Sequence, residues 1–76
     1  MYYVYLIKNN SEGKTYIGYT SNLEDRLLQH KQKQPELIYF EAYKDKRDAQ
    51  ERERKLKQRG QSVRWLKRRL KYSLIS

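Results

Sequence analysis

Hydrophobic and polar residues alternate along three short stretches of the chain, which is the pattern of half-buried β-strands. The three stretches are Tyr2 to Lys8, Thr15 to Tyr19 and Leu37 to Tyr43. In the first, one face carries Tyr3, Tyr5 and Ile7, and the other carries Tyr2, Val4 and Leu6. A polar cluster from Asn9 to Gly13 separates the first two stretches and favours a turn. The pattern predicts a β-hairpin and a third strand that pairs beside the first.

A helix start follows the hairpin. The run from Ser21 to Glu24 fits the S-x-x-E capping box, in which the two side chains bond free backbone N–H groups. It predicts a helix that continues to about Lys31 and is stopped before Pro35. The side chains expected to face inward from this helix are Leu23, Leu27 and Leu28.

Two further helices are predicted in the C-terminal half. Asp45 is expected to cap a helix from Lys46 to Arg59, with Gly60 at the position just after its end. Ser62 is expected to cap a third helix, whose apolar stripe is Val63, Leu66, Leu70 and Leu74. The order is β-β-α-β-α-α. It indicates the α+β class, with a three-stranded antiparallel sheet flanked by helices.

Composition limits what such a fold can do. The 76 residues suffice for one domain with a small core. The chain has no cysteine and one histidine, which excludes disulfides and metal sites built from Cys or several His. Any metal would be bound mainly by carboxylate oxygens and water, which suits Mg²⁺ or Mn²⁺. No apolar stretch is long enough for a bilayer and no signal peptide is visible, so we expect a cytoplasmic protein.

The charge favours a phosphate-bearing partner. Eighteen Lys and Arg oppose nine Asp and Glu, a net charge of +9. The segment from Arg52 to Lys71 holds ten of the basic residues and one acid, Glu53. Such a balance predicts polyanion binding that weakens steeply with salt, although a solvated basic surface is the alternative.

Three features are candidates for chemistry. Glu53 lies between Ala49 and Leu56 on the inward stripe of the second helix, where a carboxylate needs either a salt bridge or a metal. Arg26 and His30 project from one face of the first helix, an arrangement that suits a phosphate or simple solvation. The chain has eight tyrosines. Either they pack on half-buried sheet faces, or the phenol of one of them acts as a base near a cation.

The ordered set of these residues resembles the GIY-YIG nuclease superfamily, and in particular its small stand-alone members. The phrases that carry the likeness are Tyr3-Val4-Tyr5, YIGYTSNLEDRLLQH and AQERERKLK. The resemblance covers roughly Tyr2 to Lys57. It implies a single nuclease domain over residues 1–76 and hydrolysis of DNA phosphodiester bonds with one divalent metal.

The resemblance also implies a role for each site residue. Tyr16 would be the general base, and Tyr5 would orient water or phosphate. Arg26 would stabilise charge on the phosphate and His30 would hydrogen-bond the reacting groups. Glu53 would hold Mg²⁺ or Mn²⁺, and Gly18 would allow close backbone approach. One departure is Tyr19, where many relatives carry Lys.

Low sequence specificity is expected, because basic side chains on the last helix would contact the DNA backbone without reading bases. The residues expected to bind nucleic acid are Lys57, Arg64, Lys67, Arg68 and Lys71. For Trp65 and Tyr72, packing and stacking on unpaired bases both remain open. The alternative function is a non-catalytic DNA- or RNA-binding protein that retains the fold. A protein partner or a homodimer would complete the groove in a third interpretation.

Overall fold

A computed structural model describes the backbone of residues 1–58 and 60–75, and the side chains of 1–58 and 64–74. The strands are β1 (Tyr2–Asn9), β2 (Lys14–Thr20) and β3 (Pro35–Tyr43). The helices are α1 (Leu23–Gln29), α2 (Lys46–Gln58), α3 (Gly60–Arg69) and α4 (Lys71–Ile75), with a short 3₁₀ helix at Lys31–Lys33. None of the helices in this described part of the chain is long and apolar enough to cross a membrane.

The three strands form one antiparallel sheet in the order β2-β1-β3, so the predicted α+β class and the place of the third strand are confirmed. The central strand β1 pairs on both edges, and its register with β3 shifts between Leu6 and Ile7. The hairpin turn closes through Asn9, whose carbonyl accepts from the N–H groups of Glu12 and Gly13. Gly13 has a φ of 68°, the left-handed conformation that glycine adopts at little cost.

The sheet has two different faces. The core face is covered by α2, α3 and α4, and its sheet residues are Tyr2, Val4, Leu6, Ile17, Tyr19, Tyr39, Glu41 and Tyr43. The α1 face carries Tyr3, Tyr5, Ile7, Tyr16, Gly18 and Phe40. The buried core itself consists of Val4, Leu6, Ala49, Leu56 and Leu66. Alternation along β1 therefore assigns its residues to the two faces as predicted.

The predicted details of the first helix are partly wrong. The N-cap is Asn22, not Ser21, because the Asn22 side chain accepts from the Asp25 N–H at 3.1 Å. Thr20, still in β2, bonds the Asn22 backbone through its hydroxyl and moves the helix start by one residue. Leu28 is 67% exposed and does not face inward, since a seven-residue helix buries only a narrow stripe. The chain after Gln29 tightens into the 3₁₀ helix, so α1 ends before Lys31.

The C-terminal helices also differ from the prediction. Gly60 is the first residue of α3 and not a cap after α2, and Ser62 lies inside α3. The first N–H groups of a helix have no intrahelical partner, so a glycine costs less there than in the interior. The helix breaks at Leu70 into α3 and α4, yet Leu66, Leu70 and Leu74 all pack on the core. The predicted end of the second helix at Arg59 and the side chain of Val63 lie outside the described residues.

Candidate active site

Gly18 makes room for the ring of Tyr5. The two residues are cross-strand partners on β2 and β1, and their positions point to the α1 face. A Cβ at Gly18 would overlap the ring and hydroxyl of Tyr5, so any larger residue would displace that side chain. The expected close approach at Gly18 is therefore made by a tyrosine side chain, which is buried as a result.

Two opposite charges act on the Tyr5 hydroxyl. Burial raises the pKa of Tyr5, the positive charge of Arg26 opposes that shift, and the negative charge of Glu53 adds to it. The net shift is upward, so the phenol keeps its proton and is a hydrogen-bond donor. Arg26 comes from α1 and Glu53 from α2. Gly18 contacts Tyr5 directly, and Arg26 and Glu53 lie near enough for their charges to act on its hydroxyl.

Tyr16 lies on the α1 face of β2, two residues before Gly18, and is exposed. Its hydroxyl donates to Glu12 Oε2 at 2.7 Å. That bond to a carboxylate raises the pKa of Tyr16, which makes a free phenolate harder to form. The same bond from Tyr16, and a second from Lys33, hold the pKa of Glu12 below its usual range. Lys33 Nζ lies 3.3 Å from Glu12 Oε1.

Glu12 is a candidate site residue that sequence reasoning missed, because its carboxylate binds the Tyr16 hydroxyl. It belongs to the hairpin turn, where a glutamate is ordinarily a solvated residue without a specific role. The available signal was its separation of four residues from Tyr16 across a turn that contains Gly13, because such a turn folds the chain back on itself.

Glu53 is half-buried, with its side chain 24% exposed, and Lys57 Nζ lies 3.5 Å from its Oε2. Glu53 thus forms a salt bridge, the first of the two predicted alternatives, with a lysine one helical turn away. Within the described part of the chain, no group of three or more His, Cys, Asp or Glu residues surrounds a common point. A lone carboxylate still fits Mg²⁺, which is bound in many enzymes by one or two carboxylates, waters and substrate phosphate.

His30 ends α1, and its backbone N–H donates to the carbonyl of Leu27 at 3.3 Å. Among the described residues, no hydrogen bond or ion pair joins its imidazole to Tyr5, Tyr16 or Arg26. Its predicted role in contacting the reacting groups therefore stays a prediction.

Tyr19, where many relatives carry Lys, belongs to the core face. Its ring stacks on that of Tyr2 with 6.3 Å between centroids, and it packs against the buried core. The residue at this position therefore points to the opposite face of the sheet from Tyr5 and Tyr16.

The predicted nucleic-acid contacts are exposed on the C-terminal helices. Arg64, Lys67, Arg68 and Lys71 form no ion pair with any carboxylate of the described residues, whereas Lys57 is paired with Glu53. These helices cover the core face. The basic side chains of α3 and α4 therefore belong to helices on the core face, whereas Tyr5 and Tyr16 lie on the α1 face.

Comparison with known proteins identifies the family of this chain. A family model described as the GIY-YIG catalytic domain matches residues 1–69. The chain belongs to the GIY-YIG family. The matched region includes all three strands and the helices from α1 to α3, and so every candidate residue around Tyr5. GIY-YIG nucleases generally use divalent metals, and the domain implies DNA as the substrate.

A relative supports the same membership. The chain is 37% identical to the UPF0213 protein CPE1444 of Clostridium perfringens (strain 13 / Type A) over 86 aligned positions. That alignment covers 100% of this chain and 84% of the relative. No solved structure gives a significant match to this GIY-YIG chain.

Proposed function

We propose that this chain, acting as a single domain over residues 1–76, is a divalent-metal-dependent endonuclease that hydrolyses DNA phosphodiester bonds with low sequence specificity. The observation that carries the proposal is the buried Tyr5 side chain against Gly18, with the charges of Arg26 and Glu53 acting on its hydroxyl. An arginine, a carboxylate and a protonated phenol in one place suit a reacting phosphate, which gains negative charge in the transition state.

Arg26 and Tyr5 would act directly on the phosphate. The guanidinium can bind two phosphate oxygens at once, and the Tyr5 phenol donates a further hydrogen bond. Glu53 would hold Mg²⁺ or Mn²⁺ after releasing Lys57. The metal, when bound, would supply positive charge for the phosphate and the leaving 3′ oxygen.

Tyr16 would accept the proton of the attacking water, with Glu12 behind it. Because the Tyr16 hydroxyl donates to Glu12 Oε2, its oxygen lone pair is left to face the water. As Tyr16 Oη takes a proton from water, its own proton passes to Glu12, and the phenol stays neutral throughout. Glu12 is ionised at neutral pH and can therefore accept this proton, although its lowered pKa makes it a weaker base than an ordinary glutamate.

The test is cleavage of a panel of labelled duplex, nicked, branched and single-stranded DNA and RNA, each in Mg²⁺ and in Mn²⁺. Glu53→Ala should abolish cutting, and Arg26→Ala should reduce it by orders of magnitude. Glu51→Ala is the matched control, since Glu51 lies on the same helix and pairs with Lys55 at 3.3 Å. It should cut like the wild type. Equal activity of Glu53→Ala and the wild type would overturn the proposal.

A non-catalytic DNA- or RNA-binding protein is the second candidate, and specific contacts favour it. Glu53 is already paired with Lys57, and Tyr16 is already bonded to Glu12. This function predicts folded protein that binds DNA in a salt-dependent way and never cuts it, in either metal. If a homodimer is required for cutting, light scattering over a range of concentrations should detect self-association; a chain that stays monomeric and inactive would leave a different protein partner as the requirement.

A further inference from the structure

The only tryptophan of the chain is exposed among arginines. Trp65 is 64% exposed on α3, because the neighbouring Leu66 faces the core and is buried. The guanidinium carbon of Arg68 stands 5.2 Å from the centre of the Trp65 ring. A large aromatic side chain left in solvent beside cations is unexplained by packing, which favours its burial.

Trp65 also forms one wall of a cleft of about 200 Å³, lined by Arg52, Leu66 and Arg69 as well. Arg52 is held in a fixed orientation there, since its Nε and Nη2 donate to Glu41 at 2.9 and 3.1 Å. A pocket for a drug-sized ligand is usually larger, about 300 Å³ or more, so this cleft suits one flat group such as a single base.

The charges around the cleft are available for phosphate. Arg68 and Arg69 form no ion pair with a carboxylate anywhere in residues 1–58 and 64–74. Neighbouring Arg64 and Lys67 are likewise exposed and unpaired within that part of the chain. Cations that track a backbone, combined with an aromatic face on which a base stacks, are the usual components of a site for single-stranded nucleic acid.

We propose that Trp65, Arg68 and Arg69 form a binding site for an unpaired nucleotide of a single-stranded DNA or RNA segment. The base stacks on Trp65 in the cleft, and the two arginines contact the flanking phosphates. Bases inside a duplex are already stacked on each other and cannot stack on Trp65. The aromatic ring therefore makes the site prefer single-stranded over duplex nucleic acid, which charge alone would not do. The site lies on the core side of the sheet, opposite Tyr5, and does not depend on the proposed cleavage.

Binding at the site can be followed by tryptophan fluorescence, because Trp65 is the only tryptophan of the protein. Titration without divalent metal, with a thymidine strand of about ten nucleotides, should quench it saturably. A blunt duplex of the same length should bind through charge but leave the fluorescence nearly unchanged. Equal quenching by both ligands, or none by either, would overturn the site. A uridine strand of the same length is titrated for comparison. The strand that binds more tightly shows whether the site prefers single-stranded DNA or RNA.

Variants tested by anisotropy of a labelled strand give the second measurement. Trp65→Ala should weaken single-strand binding about tenfold and leave duplex binding unchanged, whereas Trp65→Phe should lose less. Tyr72→Ala is the matched control, because Tyr72 is 73% exposed, has Lys71 above its ring and does not line the cleft. It should bind like the wild type. Equal losses for Trp65→Ala and Tyr72→Ala would contradict the assignment, as would no loss for Trp65→Ala.

The result is separable from the proposed nuclease. Glu53→Ala keeps every residue of the cleft, so it should show the same quenching as the wild type. Quenching without any cleavage would overturn the nuclease and leave this site in place. Cleavage without quenching would do the reverse.

Discussion

The two faces of the sheet use the same interaction, a tyrosine hydroxyl bonded to a carboxylate, in different surroundings. On the core face, Glu41 accepts from Tyr39 at 2.7 Å, from Tyr43 and from Arg52. On the α1 face, Glu12 accepts from Tyr16 at 2.7 Å and pairs with Lys33 in the open. The first network joins β3 to α2 and is half-buried, whereas the second lies at an exposed turn.

Burial decides what each network does. Around Glu41, the bonds replace water that the group has lost, so breaking them leaves polar atoms unsatisfied. Around Glu12, water can replace either partner, so the contact adds little to folding and can be rearranged during a reaction. The core face therefore holds the fold together. The α1 face has a tyrosine–carboxylate pair that is exposed to solvent.

The largest loss of unfolding free energy should come from a substitution in the core face. Leu56→Ala removes a side chain that is only 1% exposed at the centre of the core, and we expect a loss of about 2–5 kcal/mol of unfolding free energy. Leu28→Ala, at an exposed position of α1, should cost no more than about 0.5 kcal/mol. Urea unfolding followed by circular dichroism measures both. Similar losses would show that the α1 face is packed as tightly as the core face.

The same contrast explains what was predictable. The faces of β1 follow from alternation, because a strand has a period of two and each apolar residue must take one side. Gly18 and Tyr5 could be recognised from a motif, and their cross-strand pairing follows from the hairpin. The exposure of Leu28 could not be predicted. Leu27 and Leu28 are adjacent in sequence, and only packing decides which one a short helix buries.

Contacts between distant residues were the least predictable. Glu41 and Arg52 are eleven residues apart, and they meet only because α2 lies across β3. Tyr16 and Glu12 meet because the turn at Gly13 takes a particular backbone conformation. Composition and periodicity describe single elements. These bonds depend on how two elements are placed relative to each other.

Glu41→Gln should lower the unfolding free energy by less, about 1–3 kcal/mol at neutral pH, because the half-buried donors lose a charged acceptor. Burial alone would raise the pKa of Glu41, but bonds from Arg52, Tyr43 and Tyr39 outweigh it and lower the pKa. Because the pKa of Glu41 is lower in the folded state, its ionised form stabilises the fold at pH values above the ordinary pKa of 4.5. That stabilisation is lost as the pH falls through the pKa of the folded state.

Unfolding free energies measured between about pH 7 and about pH 3 should therefore fall less steeply for Glu41→Gln than for the wild type. Glu36→Gln serves as the control, because among the described residues the Glu36 carboxylate accepts a side-chain hydrogen bond only from Asn10, and that bond is exposed. It should keep the acid dependence of the wild type. Parallel curves for Glu41→Gln and the wild type would refute the assignment of acid sensitivity to the core face.

The smallest effect on stability is expected for the exposed pair of Tyr16 and Glu12, where the pKa of Tyr16 is the quantity that should change. Glu12→Gln removes the carboxylate whose hydrogen bond and charge raise the pKa of Tyr16, so that pKa should fall toward the ordinary value of 10.0 while the folded structure is unaffected. Lys33→Gln is the control: it raises the pKa of Glu12 but leaves the Tyr16 bond, and Tyr16 should titrate as in the wild type. Labelling the tyrosine ring carbons for NMR resolves Tyr16 from the other seven tyrosines. An unchanged Tyr16 titration in Glu12→Gln would mean that the proton has no route to Glu12, and Tyr16 would then have to act through a free phenolate or not at all.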